Sequence, residues 1–292
     1  MKKNVLLTIA YDGSGFHGWQ KQPGVRTVQG HLEQVMSRLF NREILLSGTS
    51  RTDAGVHARG QRASFRAEPG IPVEKMALVI NNALCAAEKG GGYAKSPVRI
   101  LKAEEVQSDF HARFSCKSKR YVYRIIDGVG IGACGSGRRT DDPRNRDYGT
   151  GMSGDAAGRI GDAGMSLVFD RNYVYHVKEL LNEEAMREAA GHLEGTHDFK
   201  SFEASGGNPR ESTVRTVMEA RIRRTGGEIE FSVRGDGFLY NMVRIITGTL
   251  VETGQGKRKP EDIIEIIEAK DRSRAGHTAP PNGLYLAEVF YE

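Results

Sequence analysis

Gly48-Thr49-Ser50-Arg51-Thr52-Asp53-Ala54-Gly55-Val56-His57-Ala58-Arg59-Gly60-Gln61 is a glycine-rich loop set between two β-prone runs, Ile44 to Ser47 and Gln61 to Arg66, and it presents one carboxylate flanked by two arginines. Cations beside a carboxylate favour its charged form, so Asp53 is expected to stay ionised. The residues admit two readings. Asp53 closes an Asp-x-Gly turn with its side chain, or it is displayed for chemistry. Taken alone, they favour the turn.

Outward from this loop the pattern is α+β. Val5 to Tyr11 is an apolar, β-rich run, and Val28, Leu32, Val35, Met36 and Leu39 recur at helical spacing behind Thr27. Val73 to Leu84 reads as a second helix, and strands are predicted at Val98 to Val106 and Tyr121 to Ile126. Structure is expected to resume near Tyr173. Asn182 then caps a helix striped by Ala185, Met186, Ala189, Ala190 and Leu193. Val214 to Arg223 and Ile229 to Val233 flank a Gly226-Gly227 turn. Helices follow around Met242 to Leu250 and behind Pro260, and a last strand runs from Leu284 to Tyr291. The two halves have similar element content, with no repeat strong enough to mark a duplication.

The chain has 292 residues, which suggests about two domains and needs no disulfide or metal staple. Its 38% hydrophobic content leaves no run long enough to span a membrane. Glycine is the outlier, and 11 of 36 glycines fall between Gly128 and Gly164, with five Arg, five Asp and few large apolar residues. Such a stretch buries too little surface to offset its ordering entropy. Its charges cancel, so the net +5 belongs to the rest of the chain. A basic body suits a polyanionic partner without specifying one. Cys85, Cys116 and Cys134 are scattered and odd in number, which argues for a reducing cytoplasm over a disulfide framework or zinc site. Met1-Lys2-Lys3 before an apolar run resembles a short signal peptide, but Tyr11-Asp12 ends the run without a cleavage site, so it reads as a first strand.

Other motifs lack their required context. Gly13-Ser14-Gly15-Phe16-His17-Gly18 matches G-x-G-x-x-G after a strand, yet Trp19 to Gly24 continues as loop instead of opening a helix for a pyrophosphate. Gly90 to Ser96 lacks the glycine that precedes a P-loop lysine. The eight histidines form no metal-ligand spacing, His111 and His197 read as surface imidazoles in polar turns, and no G-x-S-x-G occurs.

At the Asp53 loop the chain resembles the TruA-type tRNA pseudouridine synthases, whose signature R-T-D-A-G-V-H-A stands here unbroken as Arg51 to Ala58. Further blocks agree in order: Tyr11-Asp12-Gly13 with Gly18-Trp19-Gln20, Arg26 to Gln29, Phe110 to Ser115, Lys119 to Tyr123, Gly195 to Phe199, Phe238 to Arg244, Thr278-Ala279-Pro280, and Gly283 to Leu286. The resemblance implies isomerisation of uridine to pseudouridine at positions 38 to 40 of the tRNA anticodon stem-loop. It also implies that no cofactor or metal is used and that Asp53 is the essential carboxylate. Asp53 then attacks C1′, attacks the uracil ring, or removes the C2′ proton, three routes that the residues leave open.

The same resemblance implies roles elsewhere. A base in a stem must be extruded before its glycosidic bond is reached. Tyr121 would stack on that base, although Tyr123 shares its strand face by alternation. Arg244 becomes the cation paired with Asp53, where a bidentate guanidinium would orient the carboxylate and lower its pKa. Leu284 is the apolar wall, Arg51 helps displace the base, and Arg59, Lys117, Lys119 and Arg120 are candidate phosphate contacts. The implied architecture is two ferredoxin-like (RNP-like) halves, 1–108 with the Asp53 loop and 109–292. Their sheets join into one central, mainly antiparallel sheet, with helices outside and a cleft between halves. A flexible Gly-rich insertion interrupts the second half at about 128–170, longer than the family's usual connection. A cytoplasmic homodimer binding tRNA across both subunits is expected. A non-catalytic RNA-binding protein on the same fold is the alternative.

Overall fold

A computed structural model describes residues 3–68, 70–88, 96–128, 168–207 and 211–292. The insertion expected at 128–170 lies almost entirely outside the described residues, as do Cys134 and most of the Gly90 to Ser96 turn.

Ten strands form one sheet in the order β4-β1-β3-β10-β5-β9-β8-β7, with β2 on β3 and β6 on β5. The strands are β1 (Lys3–Tyr11), β2 (Ser47–Gly48), β3 (His57–Ala67), β4 (Val98–Val106), β5 (Ser118–Ile126), β6 (Tyr175–His176), β7 (Gly195–Asp198), β8 (Val214–Thr225), β9 (Glu228–Gly235) and β10 (Leu284–Phe290). Pairing is antiparallel except for β10 on β3 and β6 on β5. Val5, Leu7, Ile9 and Tyr11 alternate onto one buried face. That face continues across the register through Tyr121, Tyr123 and Ile125 to Ile229, Phe231 and Val233. The α+β class and the mainly antiparallel sheet agree with the sequence.

Five helices are described: α1 (Val28–Leu39), α2 (Val73–Ala87), α3 (Glu183–Gly191), α4 (Met242–Gly254) and α5 (Asp262–Ala269). Thr27 caps α1 through Gly30 N–H, and Asn182 caps α3 through Ala185 N–H, as the sequence predicts. Helix α2 also covers a sheet edge. Asn81 donates to Ile100 O and accepts from Ile100 N–H, both at 2.8 Å, so β4 meets a side-chain amide where a further strand would bind.

Two local expectations change. Ile44 to Ser47 forms no strand beyond its last residue, because α1 side chains take its backbone groups. Ile44 N–H donates to Ser37 Oγ, Leu46 N–H donates to Glu33 Oε1, and Leu46 O accepts from Gln29. Gly195–Asp198 is a short edge strand that its polar composition hides, and His197 lies in it with its Nε2 on Glu194 O.

The Asp53 loop connects β2 to β3 at the one place where β3 changes partners. β3 meets β10 only at His57 and Ala58, and beyond that β2 pairs at Ala63 and Ser64. The loop is backed by the G-x-G-x-x-G segment. Trp19 N–H donates to Thr52 O, and Gly55 N–H to Phe16 O. A Cβ on Gly13 would stand 2.0 Å from Val56 O, and one on Gly18 (φ +83°) would stand 2.6 Å from Thr52 O. These glycines serve the close approach of backbone to backbone.

Gly13→Ala is therefore expected to lower unfolding stability by roughly 1–3 kcal/mol through overpacking. Gly15→Ala, whose Cβ meets nothing within 4 Å, should stay within about 0.5 kcal/mol of the parent. Urea midpoints measure both, and equal effects at the two positions would contradict the close packing.

Candidate active site

Asp53 faces a cleft of about 950 Å³ whose wall also carries Arg51, Tyr121, Phe238, Arg244 and Leu284. The loop beneath it is fixed from both sides. Gln61 accepts from Ser50 N–H at 3.3 Å and donates to Ser50 O at 2.7 Å, and Val56 N–H returns to Asp53 O at 3.1 Å. Behind it, buried His57 accepts from Gly13 N–H on Nδ1 at 3.0 Å, so its Nε2–H is the donor to Asn172 O at 2.9 Å. Its ring stacks on Tyr285 at a centroid distance of 4.8 Å.

Arg244 comes from the first turn of α4, across the seam. Its Nε donates to Ala279 O and its Nη1 to Asn241 Oδ1, both at 2.8 Å. Asn241 holds a left-handed φ of 58° just before the helix, a conformation that asparagine tolerates well. Arg244 is therefore positioned by its own half of the chain, and Nη1 stands 3.7 Å from Asp53 Oδ2. This is an ion pair longer than a hydrogen bond, where the sequence suggested a bidentate one. The pKa expectation also reverses. Burial pushes the Asp53 carboxyl above its ordinary 3.8, and the Arg244 charge opposes that rise without cancelling it. The flanking arginines do not pair with Asp53: Arg51 is exposed on the cleft wall, and Arg59 lies over the Tyr285 ring at 4.7 Å.

Tyr121 is buried and shares a 2.8 Å hydrogen bond with Ser50 Oγ, which ties β5 to the Asp53 loop. Phe238 meets its ring edge-on at 5.2 Å and 86°. Burial raises the phenol's pKa, so Tyr121 remains a phenol at neutral pH. Tyr123 shares that face, but its hydroxyl bonds Pro280 O and it is absent from the cleft wall. Leu284 is in the wall and only 4% exposed.

The candidate phosphate contacts divide. Lys119, two residues from Tyr121 on one strand face, lines the cleft. Arg120 points to the other face, where it pairs with Glu288 at 3.3 Å and Glu219 at 3.6 Å, and neither Arg59 nor Lys117 lines the cleft. Sequence pattern does not single out Ser50, Gln61, Asn241 or the Ala279 carbonyl, although each lies in or beside a block that matches the family.

A family model described as tRNA pseudouridine synthase matches residues 7–115 and 189–292. The tRNA pseudouridine synthase A 2 of Clostridium tetani is 41% identical over 293 residues, covering all of both chains. A protein of the same name from Clostridium perfringens is 38% identical over 289 residues, 99% of this chain and 100% of the other. The tRNA pseudouridine synthase A of Halalkalibacterium halodurans is 41% identical over 283 residues, 97% of this chain and 90% of its own.

The raised pKa of Asp53 makes a stability prediction. A carboxyl that holds its proton more tightly when folded loses stability as pH rises from 3.8 through the raised value, and the deficit persists above it. Asp53→Asn should therefore melt at or above the parent temperature at pH 7, with the difference closing as pH falls toward 3.8. Calorimetry at several pH values reads this, and a variant less stable at pH 7 would contradict it.

Proposed function

The chain belongs to the tRNA pseudouridine synthase family, and from that premise we propose that it isomerises uridine to pseudouridine at positions 38 to 40 of the tRNA anticodon stem-loop, with Asp53 as the catalytic carboxylate. The observation that carries this reading is a single desolvated carboxylate, opposed by one cation, at the floor of a cleft otherwise rich in unpaired positive charge. Arg51, Arg113, Lys119 and Arg215 line that cleft, and among the described residues no carboxylate lies within ion-pair distance of them. Several arginines elsewhere are neutralised, as in Arg62 with Glu104 at 2.5 Å, Arg124 with Glu228 at 2.7 Å and Arg224 with Asp127 at 2.8 Å. Four open cations gathered on the wall of one cleft suit a polyanion.

The chemistry conserves atoms and electrons. The N1–C1′ bond breaks, the uracil turns while bound, C5 joins C1′, the C5 proton leaves, and N1 ends protonated. The target base must first leave the stem, and Tyr121 with Leu284 offers the flat apolar walls that hold it. Arg244, anchored independently on Ala279 and Asn241, opposes the rise in Asp53's pKa that burial causes, which favours a charged group where positive charge develops at C1′. Tyr121 acts through its ring and its bond to Ser50. We place the protein in the cytoplasm as a homodimer.

Asp53→Asn is expected to bind tRNA as the parent does and to release no tritium from C5-labelled uridine in tRNA. Turnover at the parental rate would sink the assignment of Asp53. Pseudouridine mapping of tRNA treated with the purified parent should place the product at 38 to 40, and product elsewhere would overturn the positional reading.

A further inference from the structure

Phe114 is 77% exposed although it stands in the wall of the cleft. The turn that carries it is fixed. His111 Nδ1 accepts from Arg113 N–H at 3.1 Å and Phe114 N–H at 3.4 Å, and Ser115 N–H closes onto His111 O at 2.9 Å. Ala112 O accepts from Thr49 Oγ1 at 2.9 Å and Tyr291 Oη at 3.0 Å, which fastens the turn to the start of the Asp53 loop. The His111 ring supports Phe114 at 4.4 Å between centroids. The Arg113 guanidinium lies over the ring at 5.7 Å, and a largely exposed aromatic ring on an anchored turn inside a cationic cleft is suited to stack on a base.

The charge beside it is equally specific. Lys119 points into the cleft with no carboxylate at ion-pair distance among the described residues. Burial pushes its pKa down, and the Arg113 charge and more weakly that of Arg215 push it further, while Cys116 and Asp236 pull it up. Three cations on one cleft wall, none with a carboxylate at ion-pair distance among the described residues, suit a phosphate.

We infer that Phe114 stacks on the base of the nucleotide adjoining the target uridine, and that Lys119, Arg113 and Arg215 hold the phosphate between them. Extruding a base strips its neighbour of a stacking partner, and Phe114 supplies one. This rests on the reading of the cleft as a tRNA site.

The test uses the full chain and an anticodon stem-loop substrate. Phe114→Ala should raise Kd by roughly 5- to 150-fold. Phe114→Trp should bind like the parent, and both variants should keep its melting temperature. Lys119→Gln should reduce the slope of log K against log salt concentration by roughly 0.7 to 0.9. A parent that forms no pseudouridine in tRNA overturns the underlying reading. A parent that does so, with Phe114→Ala binding unchanged or Phe114→Trp binding no better than Ala, overturns the platform alone. A change of sedimentation in Phe114→Ala with RNA binding intact assigns the ring to a protein contact and also overturns it.

Discussion

The burial of one negative charge organises this molecule. Asp53 loses water at the seam where β3 changes partners, and the cation that opposes its rising pKa comes from the far end of the chain. Neither half supplies both groups. The Ser50–Tyr121 hydrogen bond and the parallel pairing of His57 and Ala58 with β10 cross the same seam, so the sheet's continuity is what brings Asp53 and Arg244 within 3.7 Å. Without the Arg244 charge, burial would raise the pKa of this carboxyl further. A bidentate Arg244 would lock the carboxylate more firmly, but the guanidinium spends two of its donors on Ala279 and Asn241. Asp53 therefore keeps freedom to engage a substrate.

Much of this arrangement was legible in the chain. The unbroken Arg51 to Ala58 block marks the family to which the chain belongs, the period of Val28 to Leu39 marks a helix, and Gly226-Gly227 marks the β8–β9 hairpin, with Gly226 at φ +60°. Other features depended on partners distant in sequence. Nothing local says that Gly13 must lack a Cβ because Val56 O occupies its place, or that Ile44 to Ser47 surrenders its backbone groups to Glu33 and Gln29. The sign of the Asp53 pKa shift depends on distant partners for the same reason, since burial outweighs the Arg244 charge and the arginines adjacent in sequence point elsewhere. Strand parity could have excluded Arg120 from the cleft, because Lys119 and Tyr121 share a face that Arg120 cannot share.

Pairing of charge explains how a modest net charge acts locally. Several arginines on the body are matched by glutamate or aspartate, while Arg51, Arg113, Lys119 and Arg215 have no carboxylate at ion-pair distance among the described residues and gather around one cleft. Open cations of this kind suit an anionic chain, and aromatic groups among them suit the stacking of its bases.

The account depends on an ionised Asp53 whose pKa is set by burial against the Arg244 charge. The pH dependence of single-turnover pseudouridine formation, with enzyme saturating, in the parent and in Arg244→Gln tests this most directly. The rate should fall on the acid side through a pKa above 3.8 in the parent, and that limb should move to higher pH in the variant. A limb unmoved by the substitution, or displaced to lower pH, would contradict the account.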